Sequence, residues 1–131
     1  MNKNREFDNE IYPRKLWIVY DDKELVKKQF ESSDGDVIDD DVFSDAWATS
    51  LPVIRKSDGM KGVAIHFSKL LIEEGGSQVV STITHESVHA ANMIFREIGC
   101  NYTKYEHEHF AYLCGWIARK SWQVLQEIIY K

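Results

Sequence analysis

Two histidines and a glutamate carry the chemistry in the stretch His85-Glu86-Ser87-Val88-His89, an H-E-x-x-H signature. On a helix, residues four apart lie on one face, one turn above the other, so His85 and His89 can present their imidazoles to a single ion. Glu86 follows the first histidine and points towards the open side of that ion, where a carboxylate can take a proton from water. A catalytic metal of this type usually has three protein ligands and one exchangeable position. Glu108, in Glu108-His109-Phe110-Ala111-Tyr112, is the expected third ligand; Glu106, His107 and His109 are its rivals.

The flanking sequence predicts the helices that must hold these groups. Residues 77–98 read as one helix, with Ser77 as N-cap after Gly75-Gly76 and Gly99 as the C-terminal stop. With His85 at zero on a helical wheel, Val79, Val80, Ile83, Ala90, Ala91, Ile94 and Ile98 occupy an arc from roughly 120° to 240°. His85 and His89 lie on the other side with Ser81, Thr82, Asn92 and Arg96, a polar stripe away from the core stripe. A second helix is expected over 104–130, opened by the capping box Thr103-Lys104-Tyr105-Glu106. Its buried arc is Phe110, Leu113, Cys114, Ile117, Val124, Leu125 and Ile128, and Glu108 shares the opposite face with Tyr105 and Tyr112. In a simple hairpin, residues 90–98 descend by roughly 13 Å and 104–108 climb back about 6 Å. The connection near 99–103 must recover the difference, or the helices must cross at an angle.

His85-Glu86-x-x-His89 followed by Glu108-x-x-Ala111 resembles the gluzincin pattern of zinc metallopeptidases. Residues from about 61 to 117 are also similar to ImmA/IrrE-like peptidase domains and to small zincin-like proteins of phages and mobile elements. Ser87-Val88 stands where ImmA-like proteins usually carry x-Gly, and Tyr112 where many gluzincins place a carboxylate that orients a ligand histidine. The resemblance implies Zn2+ held by His85, His89 and Glu108, with Glu86 as the general base of amide hydrolysis and a peptide or protein as substrate. Tyr105 or Tyr112 can donate to the oxyanion such a reaction develops. The same proteins leave a second expectation open, a metal-binding accessory module without peptidase activity.

The remaining sequence supplies the frame. The chain has 131 residues, 44% hydrophobic and 28% charged, with formal net charge -5. This is the composition of one ordinary globular domain over 1–131, and its acidity argues against a nucleic-acid partner. No run is long enough to cross a membrane, and Met1–Glu10 is too polar for a signal peptide, so a cytoplasmic setting with reduced Cys100 and Cys114 is expected. Trp116 and Trp122 are expected to cover core edges or a subunit contact, and nothing in the pattern specifies an oligomer. The fold class expected is α+β, a minimal zincin-like domain with strands near 16–20, 46–55 and 61–67. Asp58-Gly59 turns the last two into a hairpin. Strand 61–67 is expected either to pair only as the sheet partner of 46–55 or to offer an edge to an extended substrate. Residues 1–13 read as a flexible arm, Asp21-Asp22 as the cap of a short helix ending near Phe30, and the acidic run from Asp34 to Asp45 as a solvated loop.

Overall fold

Leu16-Trp17-Ile18-Val19 is an unbroken apolar run because its strand is covered on both faces, and all four side chains are buried. The computed structural model describes residues 4–44, 46–100 and 107–131. Five strands form one mixed sheet: β1 (Asn4–Asp8), β2 (Lys15–Tyr20), β3 (Phe30–Ser32), β4 (Ala48–Arg55) and β5 (Lys61–Phe67), in spatial order β1-β2-β5-β4-β3. The β2–β5 pair is parallel and the other pairs are antiparallel. Helices α1 (Lys23–Gln29), α2 (Lys69–Glu74), α3 (Gly76–Glu97) and α4 (His107–Ile129) complete the α+β architecture.

The two faces of the sheet have separate cores. Leu16, Ile18, Val63, Ile65 and Phe67 pack against Val79, Ile83, Ala90, Ala91 and Ile94 of α3 and Leu113, Ile117, Val124 and Leu125 of α4. Trp17, Val19, Val53 and Ala64 face the other way, towards Val26 of α1, Phe30, and Ile38 and Phe43 of the long loop. Alternation along each strand produces this division. On β4 it sends Leu51 and Val53 to the second core, and Ala48 and Ser50 to the α3 side.

Several expectations need correction. The segment expected to be a flexible arm contains β1, an edge strand whose Arg5 pairs with Ile18 in register and whose side chain bonds Glu127 of α4. Helix α3 starts at Gly76, with Gly75 as an N-cap that makes no side-chain bond, and Ser77 is not its cap. The cause is α2, a short helix the sequence reading missed. It is capped by Ser68 and ends at Gly75, whose φ of 99° turns the chain straight into α3. Gly99, at φ 77°, does stop α3 as expected. The acidic loop is not merely solvated: Ile38 and Phe43 are buried, Asp39 caps a single 3₁₀ turn (Asp40–Val42), and Asp40 pairs with Lys27. Val80 is 62% exposed, although its wheel position suggested core. The expected cap Asp22 does accept from the Leu25 N–H.

Strand 61–67 lies inside the sheet, paired on both sides, and so has no free edge to offer. Besides the outer edges of β1 and β3, the first part of β4 is open on the side away from β5 among the described residues. Among the described residues, β3 pairs only with Val53 to Arg55, and Ser33 N–H reaches the Pro52 carbonyl. That carbonyl points outward, so by alternation the N–H and C=O groups of Ser50 and Ala48 point outward too. Pro52 fits there because its missing donor faces away from β5. No helix among the described residues is long and apolar enough to cross a membrane.

Candidate metal centre

Helix α3 lays its core stripe on β4 and β5, and this fixes where the three motif side chains point. His85 and His89 project from the outer face and are exposed, with Nε2 atoms 3.1 Å apart and rings edge to face at 4.7 Å. Glu86, 100° further round the helix, turns in towards β4 and is only 6% exposed. Its Oε2 lies 3.7 Å from His85 Nε2, and its Oε1 accepts a 2.9 Å hydrogen bond from Ser50 Oγ. Ser87, between the ligand positions, is buried and donates back to the Ile83 carbonyl at 2.7 Å. Val79, Ile83, Ala90 and Ile94 anchor the turns above and below, so the motif sits on a helix held along its length.

The donor set suits a divalent cation. One ligand atom each from His85, Glu86 and His89 falls within 4.8 Å of the others. Ligands at about 2.0–2.1 Å around a tetrahedral ion lie about 3.3–3.4 Å apart. The imidazole pair is slightly inside that spacing, Glu86 stands slightly outside it from His85, and the three ligand atoms together lie within 4.8 Å. Neutral imidazoles with a carboxylate are the ligand chemistry of zinc and of neighbouring transition metals. A shallow cleft of about 270 Å³ opens beside the group, lined by Trp47, Ala48, Gln78, Ser81, Thr82, His85 and Glu86.

Glu108 is not brought into this group. Its carboxylate lies 3.7 Å from His107 Nε2 and lines a different cleft, with Asn9, Ile11, Tyr12, His109, Tyr112 and Trp116. The register of the helix pair is the reason. Phe110 meets Phe95 with ring centroids 5.4 Å apart, so the start of α4 lies level with the end of α3. His89 is six residues up α3 from Phe95, and Glu108 is two residues before Phe110, so at 1.5 Å per residue the two are offset by on the order of 10 Å along the axis. Tyr112 is 76% exposed in that other cleft, His109 is exposed beside it, and His107 is exposed as well. Thr103, Tyr105 and Glu106 lie outside the described residues.

Ser50 is the site residue that the sequence reading missed. Its signal was weak, a polar residue at the α3-facing phase of a strand whose register was unknown. Cys100 and Cys114 are both free. No family model, no curated protein and no solved structure matches the chain.

Proposed function

We propose that the protein is a zinc-dependent peptidase of zincin-like design, acting on a peptide or protein bound along the outer edge of β4. The observation that carries this reading is the Glu86 carboxylate, buried beside two exposed imidazoles whose Nε2 atoms are 3.1 Å apart. A zinc ion held there by His85 and His89 would lower the pKa of a water to about 7 and polarise a carbonyl.

The chain's own residues do the rest. An extended segment paired with the outward N–H and C=O of Ser50 and Ala48 runs past Glu86, because Ser50 Oγ already touches that carboxylate. Glu86 takes the proton from the attacking water and hands it to the departing amine. The third protein ligand is a separate matter. In this reading Glu108 takes the place only by a shift of the first turn of α4 towards His89.

A second reading has its own support. The 3.7 Å approach of Glu86 to His85 is close to ligand spacing, and a site that uses Glu86 as a ligand binds metal without a base. Zinc analysis of the purified chain, followed by wild type and Glu86→Ala assayed on a peptide library, separates the two. Cleavage by wild type and none by a zinc-loaded Glu86→Ala supports the peptidase. No cleavage by a zinc-loaded wild type removes it.

A further inference from the structure

Glu86 stands between two roles, and one hydrogen bond decides which it takes. Resting on the metal site proposed above, we infer that Ser50 is a positioning residue that keeps Glu86 out of the ligand set and so leaves it free to act as a base. Ser50 Oγ has one proton. It lies 2.9 Å from Glu86 Oε1 and 3.4 Å from the Glu86 carbonyl, so the shorter bond is to the carboxylate. Among the described residues, Ser50 is the hydrogen-bond donor to that carboxylate. The bond draws the group towards β4, and the other oxygen stops 3.7 Å from His85 Nε2. That is a few tenths of an ångström beyond the spacing of about 3.3–3.4 Å between two ligands of one tetrahedral ion.

The physical argument concerns what a buried carboxylate does when its donor is removed. A buried charge without a partner is costly, and the nearest compensation is the strongest nearby positive charge. Here that would be a cation held by His85 and His89. Without the hydroxyl, the Glu86 carboxylate loses the hydrogen bond that ties it to β4 among the described residues, and it would turn towards an ion held by the two imidazoles. The site then gains a ligand and loses its base. Ser50 sits in the segment of β4 whose backbone faces outward, so the residue that aims the base also belongs to the strand edge proposed to hold substrate.

The test is metal affinity in the full-length chain, which does not depend on knowing the substrate. Wild type, Ser50→Ala, Ser50→Thr and the double variant Ser50→Ala/Glu86→Gln are titrated with zinc, and with cobalt for its absorption spectrum. Ser50→Ala should bind zinc tighter, on the order of tenfold, within the range over which a partner of a metal-site group shifts affinity. Its cobalt spectrum should change with the added oxygen ligand. The gain should vanish in the double variant, and Ser50→Thr, which keeps the hydroxyl, should match wild type. Unchanged affinity in Ser50→Ala, or a gain that survives Glu86→Gln, overturns the inference. Weaker binding in Ser50→Ala also overturns it, because Glu86 would then be a native ligand supported by Ser50. A wild type that binds neither ion overturns both this and the proposed function. A wild type that binds zinc but cleaves nothing removes only the peptidase.

Discussion

His85 Nε2 and His89 Nε2 face each other across 3.1 Å, one turn apart on α3 and both exposed to solvent. Their shared ion would bridge two side chains that take no part in the core. Replacing either with Ala should therefore cost metal and not fold. Zinc binding should fall by more than the roughly 10–100-fold that loss of a supporting partner costs. The unfolding free energy of the metal-free protein should stay within about 0.5 kcal/mol of wild type, as for other surface changes. Equilibrium dialysis and urea unfolding in chelator read the two quantities. Zinc affinity that survives His89→Ala would dissolve the site.

Glu86→Gln keeps the shape of the side chain and removes its basicity. The variant should retain zinc while losing about 10²–10⁴-fold in turnover, the usual contribution of a positioned general base. Zinc content and the rate on a peptide cleaved by wild type are measured on the same sample. Full activity in Glu86→Gln would assign the base elsewhere.

Glu108 is the point on which the sequence pattern and the structure part. The Glu108-x-x-Ala111 spacing resembles the one expected of a gluzincin third ligand, yet the helix register leaves Glu108 by His107. If the first turn of α4 closes onto the ion, Glu108→Gln should weaken zinc binding by at least the roughly tenfold that marks a metal-site partner. Zinc should also slow proteolysis near the start of α4 in wild type and not in the variant. Equal zinc affinity in wild type and Glu108→Gln would strike it from the ligand set.

How far the sequence could be read follows from which interactions are local. The motif helix, the Asp58-Gly59 hairpin and the buried β2 run depend on spacing within one segment, and each lies within a residue or two of its expected place. β1 escaped notice because Asn4-Arg5-Glu6-Phe7-Asp8 is polar; its place at the sheet edge rests on ladder bonds to β2 and on ion pairs of Arg5 and Lys15. Strand order needs the β2–β5 parallel pairing, a contact no local pattern encodes, and without it neither the open edge at Ser50 nor the bond to Glu86 can be foreseen. The Glu108 expectation failed to converge for the reason the rise per residue already allowed: a long α3 carries the chain far past His89 before it returns.

His66 makes the fold sensitive to acid. Its ring is buried on β5 against the edge of Phe43, and Nε2 accepts the Asp22 N–H at the start of α1. Burial holds its pKa below the ordinary 6.5, with Lys23 adding to the effect and Asp21 and Asp22 partly opposing it. The unfolded chain then binds the proton more readily, so this contribution to stability is complete above pH 6.5 and is lost as pH falls through the lower folded-state pKa. Protonation also removes the acceptor at Nε2. Urea unfolding between pH 5 and 8 should show wild type losing more stability than His66→Gln below pH 6.5. Parallel curves for the two proteins would show that His66 contributes nothing to the slope.

Gly62 tests the crossing of β2 and β5 on which the site's support rests. It pairs with Lys15 at the start of the parallel ladder. A Cβ there would run into the Lys15 carbonyl and come within 2.8 Å of Trp17 Cζ3. The carbonyl is backbone and cannot rotate away, and Trp17 is fixed between Phe30 and the guanidinium of Arg55. The one methyl of Gly62→Ala must therefore push the two strands apart or tilt the indole out of the second core. Overpacking of this kind costs about 1–3 kcal/mol and more where backbone is the obstacle, so a loss of at least about 2 kcal/mol is expected. The midpoint of urea unfolding should drop with its slope unchanged. The clash is on β5 and β2, away from His85 and His89, so zinc affinity of the folded variant should match wild type. Stability within about 0.5 kcal/mol of wild type would mean that β2 and β5 do not meet in this register.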